Sequence, residues 1–221
     1  MSLRELRVER LGTVGYAEAL RIQEEWVRRR RAGDVPDTLL LLQHPHVITL
    51  GSGSHAEHIL LSAPEREARG IELWESGRGG DVTYHGPGQL VGYPILDLKP
   101  DRCDLHRYLR DLEEVLIGVL AEYGLPADRK EGLTGVWVAD RKLAAIGVRV
   151  SSGWITSHGF ALNVNPDLSF FDAIVPCGIR EHGVGSIAQE LGREVTVEEC
   201  LDRVTACFAR VFSRQVVGAK L

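Results

Sequence analysis

Residues 135–164 read GVWVADRKLAAIGVRVSSGWITSHGFALNV, and this stretch indicates how the chain folds. Three segments within it, at 135–139, 143–150 and 154–164, are rich in apolar, β-branched and aromatic side chains, and each predicts a strand. Only short turns separate the three. Strands on such short connections pair with their neighbours in antiparallel order, so this stretch predicts an antiparallel meander.

Helical patterns flank the meander. Apolar spacing predicts helices over 16–31 and 104–123. N-cap signals predict a short helix from Ser186 and a final helix from Thr196 to about Arg214. Because the strands form hairpins rather than alternating strictly with helices, we predict an α+β fold with a mostly antiparallel sheet flanked by helices.

The length and composition are those of a globular protein with one main core. The chain has 221 residues, which we interpret as a single domain over 1–221 with a candidate small helical subdomain at about 180–221. The net charge of −5 argues against a nucleic-acid or membrane-surface protein. The N-terminus lacks a signal-peptide core, so we expect a cytoplasmic location.

Four cysteines are candidates for chemistry. Cys200 and Cys207 lie on the apolar stripe of the predicted final helix, and we expect both to be core thiols. Cys103 precedes the helix over 104–123 and is either buried or merely tolerated. Cys177 differs, because the proline before it and the glycine after it in AIVPCGIRE leave its sulfur approachable. It is either a nucleophile or a buried loop thiol, and the residues alone leave both interpretations open.

A nucleophilic cysteine needs a nearby cation, because the pKa of a free thiol is about 8.5 and the thiolate is the reactive form. The candidates are His85, His158 and Lys142. Lys142 lies at a predicted turn in a chain that otherwise prefers arginine, and a lysine can exchange a proton near neutral pH where an arginine cannot. The alternative is a solvated hairpin lysine.

Residues 78–90 read RGGDVTYHGPGQL and contain four glycines. The spacing matches neither the phosphate-binding G-x-x-x-x-G-K-[ST] loop nor the dinucleotide-binding G-x-G-x-x-G loop. Arg78 and the amides of Gly79 and Gly80 are candidates to hold an anionic or carbonyl group, and the alternative is a set of turns. The side chains that we expect to line a cavity are those of Tyr84, His85 and Leu90.

The chain also has several histidines, and they raise the question of a metal. The candidates are His44, His46, His55, His58, His85 and His158, but no H-E-x-x-H or similar ligand spacing occurs. We therefore predict no metal site.

Four ordered motifs together resemble one known family. RGGDVTYHGPGQLVGYPI (78–95), RKLAAIGVRV (141–150), SHGFALNVNPDL (157–168) and VPCGI (175–179) are similar to motifs of the lipoyl(octanoyl) transferases, and the match runs from about residue 10 to 200. The resemblance implies one catalytic domain with the α+β fold of the biotin and lipoate protein ligases.

The resemblance also implies an activity and its partners. The family moves an octanoyl group from octanoyl-acyl carrier protein to a lysine of lipoyl domains, in the 2-oxoacid dehydrogenase complexes and the glycine cleavage H protein, as the first step of endogenous lipoate biosynthesis. By motif, Cys177 would form the acyl thioester and Lys142 would lower the pKa of its thiol and shuttle protons. No cofactor, metal, nucleic acid or membrane is implied.

The acyl-holding residues are carried over by motif as well. They would be Arg78, Gly79, Gly80, Asp81, Val82, Thr83, Tyr84 and His85, then Ala145, Ile146 and Gly147, then Gly159, Phe160 and Ala161.

Three other functions remain open from the sequence. An ATP-dependent lipoate or biotin protein ligase shares the fold and needs no nucleophilic cysteine. A cysteine hydrolase would use His85 or His158 as its base. An acyl-binding module would use Cys177 only for packing. The arginines at 28–31 either dock an acidic carrier protein or simply favour a helix C-terminus.

Overall fold

The computed structural model describes residues 3–175 and 183–218. The strands of this part of the chain are β1 Arg4–Thr13, β2 Asp37–Gln43, β3 Val47–Leu50, β4 Glu72–Glu75, β5 Val82–His85, β6 Gln89–Ile95, β7 Ala127–Lys130, β8 Leu133–Val138, β9 Arg141–Val150, β10 Thr156–Asn163, β11 Gly183–Val184 and β12 Arg214–Val217. The helices are α1 Tyr16–Ala32, α2 Ala63–Ala68, α3 Leu105–Ala121, α4 Ile187–Leu191 and α5 Val197–Phe212, with short 3₁₀ helices at Ala56–His58 and Leu168–Ala173.

Two sheets organise these elements. The main sheet has the strand order β12-β1-β2-β6-β10-β9-β8-β7, with β11 beside β9, and the small sheet has the order β4-β3-β5. From β2 to β7 every neighbouring pair in the main sheet is antiparallel, whereas β1 runs parallel to both β12 and β2. The predicted α+β fold with a mostly antiparallel sheet is confirmed, and the meander is its β8-β9-β10 part.

The helices cover both faces of the main sheet. Helices α3 and α5 pack against each other over the larger core, which includes Tyr108, Phe208 and Phe212. Helix α1 packs on the other face, where Ala19 joins a smaller cluster with Leu40 and Tyr93. Burial of these apolar faces, rather than helix propensity, holds the helices in place. None of the helices in the described ranges has the length and apolar character needed to cross a membrane.

Two further regions add strands to the sheets. The strand-like residues 38–50 divide at Pro45, and the bend sends β2 into the main sheet and β3 into the small one. The described part of the C-terminal segment, a candidate subdomain at about 180–221, packs into the main core through α5 and adds β12 to the main sheet. Cys200 and Cys207 are buried in that core as predicted.

Candidate active site

A cavity lies where β9 and β10 of the main sheet meet the segment 78–85. It is lined by Tyr16, Arg78, Gly80, Asp81, Thr83, His85, Tyr93, Lys142, Ala145, Ile146, Gly147, His158, Gly159, Phe160 and Ala161. We call residues 142–147 and 159–161 the sheet wall, and residues 78–85 the Gly-rich wall. Within the described residues, most of the side chains and backbone that the family motifs singled out meet here.

Several small residues of the sheet wall pair with one another. Ala145 pairs with Ala161, and Gly147 pairs with Gly159, in the antiparallel β9–β10 ladder. A Cβ atom on Gly159 would collide with the Gly92 carbonyl of β6, and one on Gly147 would lie 3.1 Å from the carbonyl oxygen of Gly79. The glycines therefore allow a close approach of neighbouring backbone, which a larger residue would prevent.

Lys142 lies at one end of the sheet wall and is only 8% exposed. Its ammonium nitrogen is 5.3 Å from the centroid of the Trp137 ring, a cation–π geometry. Its stem passes close to Gly135, where an added Cβ would be 2.5 Å from the lysine Cε. On its other side, Val184 of β11 pairs with Lys142.

Polar side chains of the Gly-rich wall attach it to residues between 49 and 58. The guanidinium of Arg78, 7% exposed, donates to the Thr49 carbonyl at 2.7 Å and to its hydroxyl at 2.9 Å. The Asp81 carboxylate bonds to Nδ1 of His58 at 2.5 Å and accepts the backbone N–H of His55 at 3.3 Å. The bonds from Arg78 to the buried Thr49, together with the bond between Asp81 and the half-buried His58, fix the wall more firmly than its glycines suggest.

The imidazoles around the cavity are neutral. Nδ1 of His44 donates to the Val14 carbonyl at 2.7 Å, so its Nε2 accepts from the Tyr93 hydroxyl at 2.7 Å. Burial lowers the pKa of His44 to about 4. Burial likewise lowers the pKa of His85 well below its ordinary value and that of His158 to about 4, with Arg78 adding to both shifts. Neither His85 nor His158 therefore supplies the cation that a thiolate at neutral pH needs.

Three residues of the predicted acyl-binding set do not line this cavity. The Gly79 amide donates to the Val148 carbonyl at 2.9 Å, so it is not available to the carbonyl or anionic group for which the sequence suggested it. Val82 is buried in the cluster between the small sheet and the second 3₁₀ helix. The Tyr84 hydroxyl bonds to His46 at 2.7 Å, and the Tyr84 side chain lines an adjoining cavity that also contacts Lys142.

Cys177, the predicted nucleophile, lies outside the described residues. The described thiols are those of Cys103, which is exposed, and of Cys200 and Cys207, which are buried. Burial raises the pKa of both buried thiols, to about 11 for Cys207, so both stay protonated. Both belong to the buried face of α5 in the larger core, and neither lines the cavity.

Three residues that line the cavity were not predicted from the sequence to do so: Tyr16, Tyr93 and His158. Tyr16 begins α1 and Tyr93 lies in β6, and both line the cavity. His158 was considered only as a cation or a base. Its position beside Gly159 in a family motif was the available signal.

Within residues 3–175 and 183–218, no group of three or more His, Cys, Asp or Glu side chains is arranged to hold a metal ion.

Comparison with known proteins defines the class first. Residues 15–209 match the model of the lipoyl protein ligase A/B catalytic domain. The fold agrees: the bipartite lipoate protein ligase of Thermoplasma acidophilum superposes with a TM-score of 0.73 at 17% identity, over 99% of this chain and 89% of that one. The biotin protein ligase of Aquifex aeolicus gives a TM-score of 0.52 at 13% identity, over 96% and 70%.

Closer relatives narrow the class. The octanoyltransferase of Rubrobacter xylanophilus is 56% identical over 93% of both chains, and that of Solibacter usitatus is 50% identical over 99% of both. The chain therefore belongs to the lipoyl protein ligase A/B catalytic domain family, within its octanoyltransferase branch, and it is an acyltransferase. The family resemblance stated from the motifs is confirmed.

Proposed function

We propose that this chain transfers an octanoyl group from octanoyl-acyl carrier protein to a lysine of lipoyl domains, through a thioester on Cys177. One observation carries the proposal: in a chain half identical to octanoyltransferases, the buried Lys142 lies at the end of a cavity walled by small and apolar residues. Such a cavity suits a medium acyl chain, since each buried methylene contributes about 0.8 kcal/mol.

The first half of the reaction forms the acyl-enzyme. The Cys177 thiolate, paired with the Lys142 ammonium, attacks the carbonyl carbon of the octanoyl thioester. The new carbon–sulfur bond forms as the bond to the phosphopantetheine sulfur breaks. That sulfur leaves as a thiol, with the proton that Lys142 gives up.

The second half passes the acyl group on. The neutral amine of the acceptor lysine attacks the Cys177 thioester, and the nitrogen–carbon bond forms as the carbon–sulfur bond breaks. The surplus proton on the nitrogen goes to neutral Lys142, which restores the ammonium beside the thiolate. Because the thioester is already activated, the reaction takes no ATP, metal or other cofactor. The acceptors are lipoyl domains of 2-oxoacid dehydrogenase complexes and the glycine cleavage H protein, and the location is cytoplasmic.

The oxyanion of each tetrahedral intermediate needs a hydrogen-bond donor. Of the two glycine amides suggested by the sequence, that of Gly79 is taken by Val148, which leaves Gly80 as the candidate on the Gly-rich wall. Gly80 has a φ of +86°, a conformation that favours glycine.

Intact-mass analysis tests the proposal. Incubation with octanoyl-acyl carrier protein alone should add one octanoyl group that hydroxylamine removes, and Cys177→Ala should abolish it. Cys103→Ala removes an exposed thiol and is the matched control, which should acylate normally. An unchanged adduct in Cys177→Ala would remove Cys177 from this role. Pyrophosphate release that depends on free octanoate and ATP would instead favour a ligase.

A further inference from the structure

A second cavity adjoins the first, and His158 lines both. The second cavity is lined by Leu20, Gln23, Glu24, Val27, Arg31, Gly77, Arg149, Ser151, Ile155, Ser157 and His158. His158 also lines the first cavity and is 6% exposed. Its ring therefore forms part of the partition between the two spaces.

The backbone of His158 is held in an unusual conformation. Its φ is +56°, a left-handed conformation that residues with a Cβ rarely adopt. Its N–H donates to the side-chain oxygen of Gln23 at 2.7 Å, and Gln23 on α1 is itself 3% exposed. The ring of Tyr93 meets the His158 ring edge to face at 6.2 Å. Helix α1 and β6 thus fix the position of the ring from two sides.

The register of the sheet places His158 at the far end of the first cavity from Lys142. His158 pairs with Val148, six positions along β9 from Lys142. Six residues of extended strand cover about 20 Å, and the side chains of Lys142 and His158 occupy part of this distance. An extended eight-carbon acyl chain is about 9 Å long and fits in the remainder.

The chemistry of the two sides also differs. The neutral ring of His158 presents an uncharged surface to the first cavity, because burial lowers its pKa to about 4. Beyond the ring, Leu20, Val27 and Ile155 offer apolar surface, while Arg31, Arg149 and Glu24 are charged. A chain that passed the ring would find apolar contacts next to it.

We propose that the His158 side chain closes the distal end of the acyl cavity and limits the acyl chain to octanoyl length. This inference rests on the proposed octanoyl transfer and deepens it, by naming the residue that discriminates against longer chains. Gln23 is the positioning residue that holds His158 in place. Removal of the ring joins the two cavities and admits longer chains.

The test is the chain-length profile of acyl-enzyme formation with octanoyl-, decanoyl- and dodecanoyl-carrier proteins. His158→Gly removes the ring and suits the positive φ, and His158→Asn is a smaller side chain that also tolerates this conformation. Each methylene that becomes buried favours binding by about fourfold. The ratio of dodecanoyl to octanoyl acylation should therefore rise at least about tenfold in His158→Gly and less in His158→Asn. Ser157→Ala, on the second cavity only, should keep the wild-type ratio.

An unaltered ratio in a folded, active His158→Gly would overturn the proposal, and so would an equal change in Ser157→Ala. A separate binding measurement distinguishes this failure from failure of the proposed function. Calorimetric titration with octanoate and dodecanoate needs no acyl transfer, and His158→Gly should move the preference towards dodecanoate by a similar factor. If wild type forms no acyl-enzyme but the preference moves, the transfer mechanism fails and the chain-length stop stands.

Discussion

The two walls of the cavity are built on different principles. The sheet wall is regular β-structure whose small residues leave space, and each of its glycines is packed against neighbouring backbone or a fixed side chain. The Gly-rich wall has an irregular start, and polar bonds to residues far along the chain hold it, as between Arg78 and Thr49. A change in the sheet wall should therefore act by filling space, and a change in the Gly-rich wall by loosening an attachment.

The largest effect is expected behind the sheet wall, at Gly135. Its φ is +132°, its N–H is accepted by the fully buried carboxylate of Glu113 at 3.1 Å, and the stem of Lys142 passes over it. Gly135→Ala should push the ammonium away and slow acyl-enzyme formation about a hundredfold, because misplacement by about 1 Å is enough for such a loss. It should also cost about 2–4 kcal/mol of unfolding free energy, from strain and overpacking.

Gly132→Ala is the matched control for this prediction. Gly132 also has a positive φ, of +74°, but an added Cβ there meets nothing within 4 Å. The variant should lose about 1 kcal/mol of stability through backbone strain alone. Its rate of acyl-enzyme formation should equal that of wild type. If both variants slow the reaction equally, the contact with Lys142 is not the cause.

The same contrast explains what the sequence could predict. The meander and the small residues of 145–147 and 159–161 are local patterns, and period and turn spacing predict them directly. The attachments of the Gly-rich wall join residues such as Arg78 and Thr49, 29 positions apart, and Asp81 and His58, 23 positions apart. No local pattern encodes such pairs, because only the tertiary fold brings them together.

Lys142 lies between these two cases. Its place on β9 follows from the meander, but its direction depends on a register shift in the β8–β9 ladder, where the consecutive residues Val136 and Trp137 pair with Ala144 and Lys142. Such a bulge re-aims side chains without a sequence signature that a single chain reveals. The motif therefore identified the residue, whereas the fold explains its burial against Trp137 and Gly135.

The second-largest effect that we expect is a loss of stability in acid. It comes from the neutral imidazoles beside the Gly-rich wall. The pKa of His44 falls from 6.5 to about 4 on folding, so the unfolded chain binds a proton that the folded one does not. The stability from this residue is complete above pH 6.5 and is lost as the pH falls towards 4. Between pH 7 and pH 5 it should amount to about 2 kcal/mol.

Urea unfolding at the two pH values measures this loss. His44→Gln cannot take up the proton, so its stability should vary less between pH 7 and pH 5 than that of wild type, by about the same 2 kcal/mol. His106→Gln, at an exposed position of α3, is the control and should keep the wild-type difference. Equal pH dependence in wild type and His44→Gln would contradict the neutral-imidazole description of this wall.

The smallest effect is expected at Thr49, which accepts hydrogen bonds from Arg78. Thr49→Val keeps the shape of the side chain and the carbonyl that accepts from Arg78, but it removes the hydroxyl that accepts two further bonds. The loss of these charge-assisted bonds should raise the KM for the acyl donor about fivefold, equivalent to about 1 kcal/mol. Thr38→Val is the control, because it removes a buried hydroxyl of β2 that donates to the Pro36 carbonyl. It should lower the free energy of unfolding by about 1 kcal/mol and leave KM unaltered. Thr38→Val could instead raise KM as much as Thr49→Val. A general loosening of the fold, rather than the loss of the Arg78 attachment, would then account for both increases. The contrast between the two walls would fail at this point.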